Sequence, residues 1–182
     1  EQSGKKLAVP PTNVVRPKFP EGMETLQDLT FFDYDKIDVS KRPEHLDLSN
    51  VFWSDQDGVT TDYSFLIGYP ECSVSMEFDP GDESALSKFV LRWIRQDLQA
   101  APRQPLDTDD RDMFVKHERS TRLSIEPGGL SGSPVFSLVC DSNKERHIRF
   151  DGIVTNANGD RFAAYPSAQI RQILDHIIGG TA

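Results

Sequence analysis

Seven consecutive residues, Gly128-Gly129-Leu130-Ser131-Gly132-Ser133-Pro134, combine a hydroxyl nucleophile with the backbone freedom that acyl-transfer chemistry needs. A serine hydroxyl is a poor nucleophile at neutral pH and acts only beside a positioned base. The tetrahedral intermediate it forms also needs hydrogen-bond donors for its oxyanion. Glycines two places before and one place after Ser131 allow positive φ, so successive N–H groups can converge on one point. The N–H groups of Gly129 and Ser131 are the predicted oxyanion-hole donors. Pro134 then directs the chain into the apolar run Val135-Phe136. The same heptapeptide would also serve as a plain tight turn with incidental serines, so its surroundings must decide.

Other chemistries fit less well. The G-x-S-x-G elbow of α/β-hydrolases needs glycine where Ser133 stands, and no strand–elbow–helix pattern surrounds it. An α/β-type esterase built on Ser131 and His176 would also need a parallel sheet. Asp107, Asp109, Asp110 and Asp112 resemble a calcium loop, but the glycine and closing glutamate are missing, so they read as a solvated loop. Cys72 and Cys140 sit in apolar, strand-like surroundings and read as two buried free thiols, with one bridge as the alternative. Neither belongs to a CxxC pair, which excludes a zinc ribbon. No metal site is visible, and serine chemistry requires no cofactor.

The elements around the turn read mostly as strands. A Pro-rich leader spans residues 1–24, with a short strand at 13–16. Strand pieces follow at 25–32 and 37–39, and a polar connection runs over 40–62. Residues 63–67 form an apolar run ending at Gly68-Tyr69-Pro70. Cys72, Val74, Met76 and Phe78 then alternate as in a half-buried strand. Over 83–100, Leu86, Phe89, Val90, Trp93, Ile94 and Leu98 share one helical stripe and predict an amphipathic helix packed on the domain. Strands are expected at 113–115 and 122–125 before the turn. After it, 135–139 and 147–155 read as a hairpin around Asp141-Ser142-Asn143, followed by a strand at 162–165. A helix at 167–178 turns Ile170, Ile173, Leu174 and Ile177 inward and ends at Gly179-Gly180. Many short strands with long loops predict a mainly β fold.

Bulk properties narrow the partners. The net charge is -9, with no basic stripe of the kind a phosphate backbone requires, so nucleic acid is not an expected partner. No window approaches the roughly 18 apolar residues of a membrane span, so no membrane contact is expected. Two cysteines without an evident bridge favour a reducing, cytoplasm-like interior over an oxidising compartment.

The segment from Gly129 to Phe136 resembles the G-x-S-G-G/S-P-V nucleophile signature of trypsin-like, chymotrypsin-fold serine peptidases, especially their bacterial branch. Asp28-Leu29-Thr30-Phe31-Phe32 is similar to the strand that carries that family's catalytic aspartate. The resemblance assigns Asp28 the task of orienting a histidine, with Asp33 and Asp35 as rivals. Phe65-Leu66-Ile67-Gly68-Tyr69-Pro70 resembles the strand that opens the second barrel. Asp151-Gly152-Ile153-Val154-Thr155-Asn156-Ala157 resembles the strand that pairs with substrate backbone. By the same resemblance Ile125 and Glu126 form the floor of the primary specificity pocket, and Thr155, Asn156 and Ala157 its walls. Thr155 would in addition support the aspartate. The implied architecture is a double β-barrel. Residues 1–62 hold the remainder of a first barrel and a connection, and 63–182 hold a complete second barrel. The implied partner is a polypeptide substrate, with contacts to an N-terminal segment or other domains of the same protein.

One element of the pattern is out of place. The family's general base precedes its aspartate, yet His45, His117, His147 and His176 all follow Asp28. The reading expected first is a histidine upstream of residue 1, consistent with a start that has neither Met nor a leader's apolar core. A catalytically inactive module that binds peptides or partner proteins is the alternative. Substitution by His117 or His45 in another geometry is the third.

Overall fold

The computed structural model describes residues 13–16, 29–33, 50–55, 57–107, 110–118 and 128–179. Asp28, Asp35, His45, Ile125, Glu126 and the strands expected at 37–39 and 122–125 lie outside the described residues.

The fold is mainly β, with a closed six-stranded antiparallel barrel and one C-terminal helix. The barrel strands are β4 (Thr60–Gly68), β7 (Ile94–Ala100), β8 (Asp112–Lys116), β9 (Pro134–Cys140), β10 (Arg146–Asn158) and β11 (Arg161–Pro166). Around the barrel they run β4-β7-β8-β11-β10-β9 and return to β4. The four strands β9-β4-β7-β8 thus stand in Greek-key order. A ribbon of β5 (Val74–Asp79) and β6 (Asp82–Leu91) is inserted between β4 and β7. Outside the barrel, β1 (Asn13–Val15) pairs with β2 (Phe31–Asp33), and β3 (Phe52–Trp53) adds two residues in parallel to β10. The chain leaves the Ser131 turn into β9 rather than into a helix. A strand–elbow–helix nucleophile therefore has no place here.

Alternation explains the barrel. Ser64 and Leu66 on β4, Gln96 and Leu98 on β7, and Val135, Ser137 and Val139 on β9 are buried while their neighbours are not. Leu66, Leu98, Phe114, Leu130, Val135, Val154, Phe162 and Ala164 meet as one apolar cluster. A second cluster lies against helix α1 (Ser167–Gly179), where Ile170 and Ile173 pack with Val51, Phe150 and Tyr165. Leu29 and Phe31 pack against this second cluster. Ser54 holds the start of α1, accepting from the Ala168 N–H at 3.2 Å and bonding the Ser167 hydroxyl at 3.0 Å. A remote hydroxyl thus satisfies one of the helix's orphan donors.

The helix expected at 83–100 is two strands instead. Val90, Leu91 and Phe89 fall in register with Ser75, Val74 and Met76, and Ile94 falls in register with Gly68. Ile94 and Leu98 are four apart, a spacing common to a helical stripe and to one face of a strand. Pairing with β4 and β5 decides between them, as tertiary context often does. The alternation predicts a half-buried strand over 72–78. Cys72 instead lies in a single 3-10 turn, Glu71–Ser73, and Met76 and Phe78 are exposed. Both cysteines are free, but Cys72 is exposed and Cys140 only half-buried. The polar connection over 40–62 is also interrupted, by β3 and by the first residues of β4.

Closure depends on Gly152. β10 pairs with β9 up to Ile153 and with β11 from Gly152 onward. A Cβ at residue 152 would lie 1.9 Å from the carbonyl oxygen of Tyr165, a backbone atom that cannot step aside. Gly152→Ala is expected to destabilise the barrel by roughly 3 kcal/mol. Urea denaturation of the two proteins measures it, and an unchanged midpoint would contradict this account of closure.

Candidate active site and a buried polar network

The Ser131 turn is pinned from both sides. Glu71 N–H donates to the Gly128 carbonyl at 2.8 Å, and the backbone of Tyr69 and Glu71 abuts Gly129. On the other side Gly132 N–H donates to the Val154 carbonyl at 2.7 Å, and Val154 N–H donates to the Ser133 carbonyl at 2.9 Å. Leu130, 2% exposed, plugs the barrel core, and Ser133 is buried against Gly68. Gly129 and Gly132 have φ of 82° and 86°, a region that glycine occupies without strain. Between these anchors Ser131 is exposed. Its hydroxyl donates to the Thr155 carbonyl at 3.2 Å. Among the described residues, the Gly129 and Ser131 N–H groups have no acceptor.

Thr155 sits at a register shift between Val154 and Asn156, and its hydroxyl donates to the Ala163 carbonyl at 3.3 Å. Asn156 is exposed, and Ala157 packs against the barrel core. Pairing of β10 with β9 ends at Ile153, so beyond it β10 pairs with β11 alone among the described residues. The structure therefore brings Gly129, Ser131 and Thr155 together beside an open strand edge.

The described histidines lie elsewhere. His117 lines a cavity in the barrel, and its N–H donates to the Asp97 carbonyl at 3.0 Å. His147 stacks on Phe52 with ring centroids 4.4 Å apart, and His176 is exposed on the last turn of α1. No histidine ring hydrogen-bonds Ser131 among the described residues.

A second constellation escaped the sequence reading. Ser137 is fully buried on β9, and its hydroxyl donates to Oδ2 of Asp151, itself 3% exposed. With the single Ser137 proton on an ionised carboxylate, the Ser64 hydroxyl must donate to Ser137, 2.7 Å away. Arg149 completes the chain, donating from Nε to Asp151 Oδ1 at 2.6 Å and from Nη2 to Thr61 Oγ1 at 3.2 Å. Asp151 is the extra residue of a β-bulge between Phe150 and Gly152, which turns its side chain inward. Ser64, Arg149, Asp151 and Asp112 line a cavity of about 470 Å³ with Thr61, Tyr63 and His117. The residues of the Ser131 turn are not part of its lining. The sequence signal was Ser137 itself, a hydroxyl at a core position of the run Val135–Val139.

Burial raises the pKa of Asp151 despite the opposing Ser137 hydrogen bond and Arg149 charge. Asp112 is also raised, first by burial and then by the Asp151 charge, against the pull of Arg103 and Arg149. Perturbed carboxyls in a cleft are a common mark of a functional site, and equally of a structural polar core.

Comparison with protein-family models, curated proteins and solved structures finds no match to this chain.

The raised pKa values fix a sign. A carboxyl whose folded pKa lies above its unfolded value stabilises the fold below the unfolded pKa, and that contribution is lost as pH rises through the folded value. Asp112→Asn is therefore expected to raise the thermal midpoint at pH 7 and to leave it unchanged near pH 3. Asp151→Asn leaves the Arg149 guanidinium without its carboxylate, and that loss, about 3 kcal/mol at pH 7, is expected to outweigh the opposite effect of the raised Asp151 pKa. Thermal unfolding across pH checks both, and a stabilising Asp151→Asn would contradict the network.

Proposed function

We propose that the chain carries the nucleophile of a trypsin-like serine endopeptidase, with residues 63–182 as the second barrel of a chymotrypsin-like pair and 1–62 as part of the first. The observation that carries this reading is the exposed Ser131, held between two left-handed glycines at the mouth of a barrel strand. Ser131 Oγ attacks the scissile carbonyl while its proton passes to a histidine outside the described residues, oriented by Asp28. The unoccupied N–H groups of Gly129 and Ser131 receive the oxyanion. The amine leaves with the proton, and water hydrolyses the acyl-enzyme. The open edge at Asn156 and Ala157 offers main-chain hydrogen bonds to an extended substrate, and the resemblance assigns Ile125 and Glu126 to the specificity pocket.

The second reading is a protease-fold module that binds peptides without cleaving them. It is favoured by one observation, that no histidine ring contacts Ser131 among the described residues. Without a base, the donors and binding alone would leave only about 10³–10⁴-fold catalysis over water.

A fluorophosphonate probe separates the two. The peptidase reading expects covalent labelling of the full-length gene product at Ser131, abolished in Ser131→Ala and mapped by peptide mass. A folded, unlabelled protein would sink it in favour of the module.

A further inference from the structure

The β9–β10 hairpin turns through residues 141–145, at the opposite end of β9 from Ser131. β9 has seven residues, so roughly 23 Å separates the two places. Asp141 N–H donates to the Glu145 carbonyl at 3.0 Å, and Lys144 N–H donates to the Asp141 carbonyl at 3.0 Å. Within the turn, Oδ1 of Asp141 accepts from the N–H groups of Asn143 at 2.9 Å and Glu145 at 2.8 Å. Those bonds fix the carboxylate and leave Oδ2 facing His147. The His147 ring is fixed as well, stacked on Phe52 with centroids 4.4 Å apart and planes 12° from parallel. One donor atom each from Asp141, Glu145 and His147 lies within 4.8 Å of the other two.

This spacing suits a metal ion better than a hydrogen bond. A charge-assisted N–H···O bond closes to about 2.7–2.9 Å. His147 Nε2 and Asp141 Oδ2 stand 3.4 Å apart. Bonds of about 2.0–2.1 Å to a tetrahedral Zn²⁺ place its donors roughly 3.4 Å from one another. The ring and the carboxylate thus already form one edge of such a tetrahedron, and each is held by contacts outside the pair. Glu145 is exposed and makes no ion pair among the described residues, so its side chain can rotate to complete the face. Neighbouring cations leave the acids unneutralised. Arg146 pairs with Asp62 at 3.2 Å, and Lys144 makes no ion pair among the described residues. Donor chemistry selects the ion. Ca²⁺ and Mg²⁺ take oxygen ligands, whereas an imidazole with carboxylates at a tetrahedral spacing suits Zn²⁺.

We infer that Asp141, Glu145 and His147 form a Zn²⁺ site at the tip of the β9–β10 hairpin. Water fills the remaining position on the solvent side. His147 also carries the ring of Phe52, so the ion locks the turn to the junction of β3 with β10. The site stands apart from Ser131 and from any activity there.

The test titrates Zn²⁺ into the chelator-treated full chain and reads the heat by calorimetry. Zn²⁺ is expected to bind, with Ca²⁺ and Mg²⁺ at least about tenfold weaker. Glu145→Gln and His147→Gln are each expected to weaken Zn²⁺ binding by about tenfold or more. Glu145 holds the turn through its backbone alone, so Glu145→Gln keeps the fold, and circular dichroism checks both variants. His176→Ala and Cys72→Ser remove exposed donors elsewhere and should leave the affinity unchanged. Zn²⁺ should also shift the ring-nitrogen resonances of His147 in ¹⁵N NMR. Affinity that both Glu145→Gln and His147→Gln leave intact overturns the inference, as does a flat titration at millimolar Zn²⁺.

Discussion

β10 keeps β9 on one edge through Ile153 and takes up β11 on the other from Gly152, and the closure of the barrel depends on that overlap. A strand with a neighbour on each edge can stay straight, but closing the sheet into a barrel requires it to bend. The bulge at Asp151 supplies the bend, and the missing Cβ of Gly152 lets β10 pass against the Tyr165 carbonyl. The bend closes the barrel, aims Asp151 into it, and carries Val154 to where it receives the Gly132 N–H.

The barrel interior is divided between two kinds of contact. Leu66, Leu98, Val135, Val154 and Ala164 are almost fully buried and contribute by area removed from water, roughly 25 cal/mol per Å². Ser64, Ser137 and Asp151 are buried as a set bonded to the half-buried Arg149, and they avoid the desolvation penalty only while every member keeps its partner. Such networks add less to stability than to uniqueness, because a register slip would leave buried donors unmet. Burial keeps Asp112 and Asp151 more proton-binding than exposed carboxyls.

The Ser131 turn inherits its shape from this frame. Its main chain is tied to Glu71 on one side and Val154 on the other, and Leu130 anchors it in the core. Left-handed glycines cost little there, and the hydroxyl stays exposed. A scaffold of this kind holds donors in place before any ligand arrives, which is where most catalytic stabilisation comes from. What the turn does depends on a base, and no described histidine supplies one.

Much of this was written locally. The hairpin of β9 and β10, the strand at β11 and the C-terminal helix follow from short apolar periods and from turn residues such as Asp141-Ser142-Asn143. The glycines around Ser131 foretell a left-handed turn because only glycine enters that region cheaply. The helix expected at 83–100 failed because an i, i+4 pair such as Ile94 and Leu98 fits both periods, and only pairing with β4 chooses between them. Exposure of Met76 and Cys72 was equally hidden, since alternation tells which residues share a face and not whether anything covers it. Asp151 reads in sequence as one acid before a glycine. Its meeting with Ser137, Ser64 and Arg149 needs strands far apart in the chain brought into register, and closure of the barrel alone decides that.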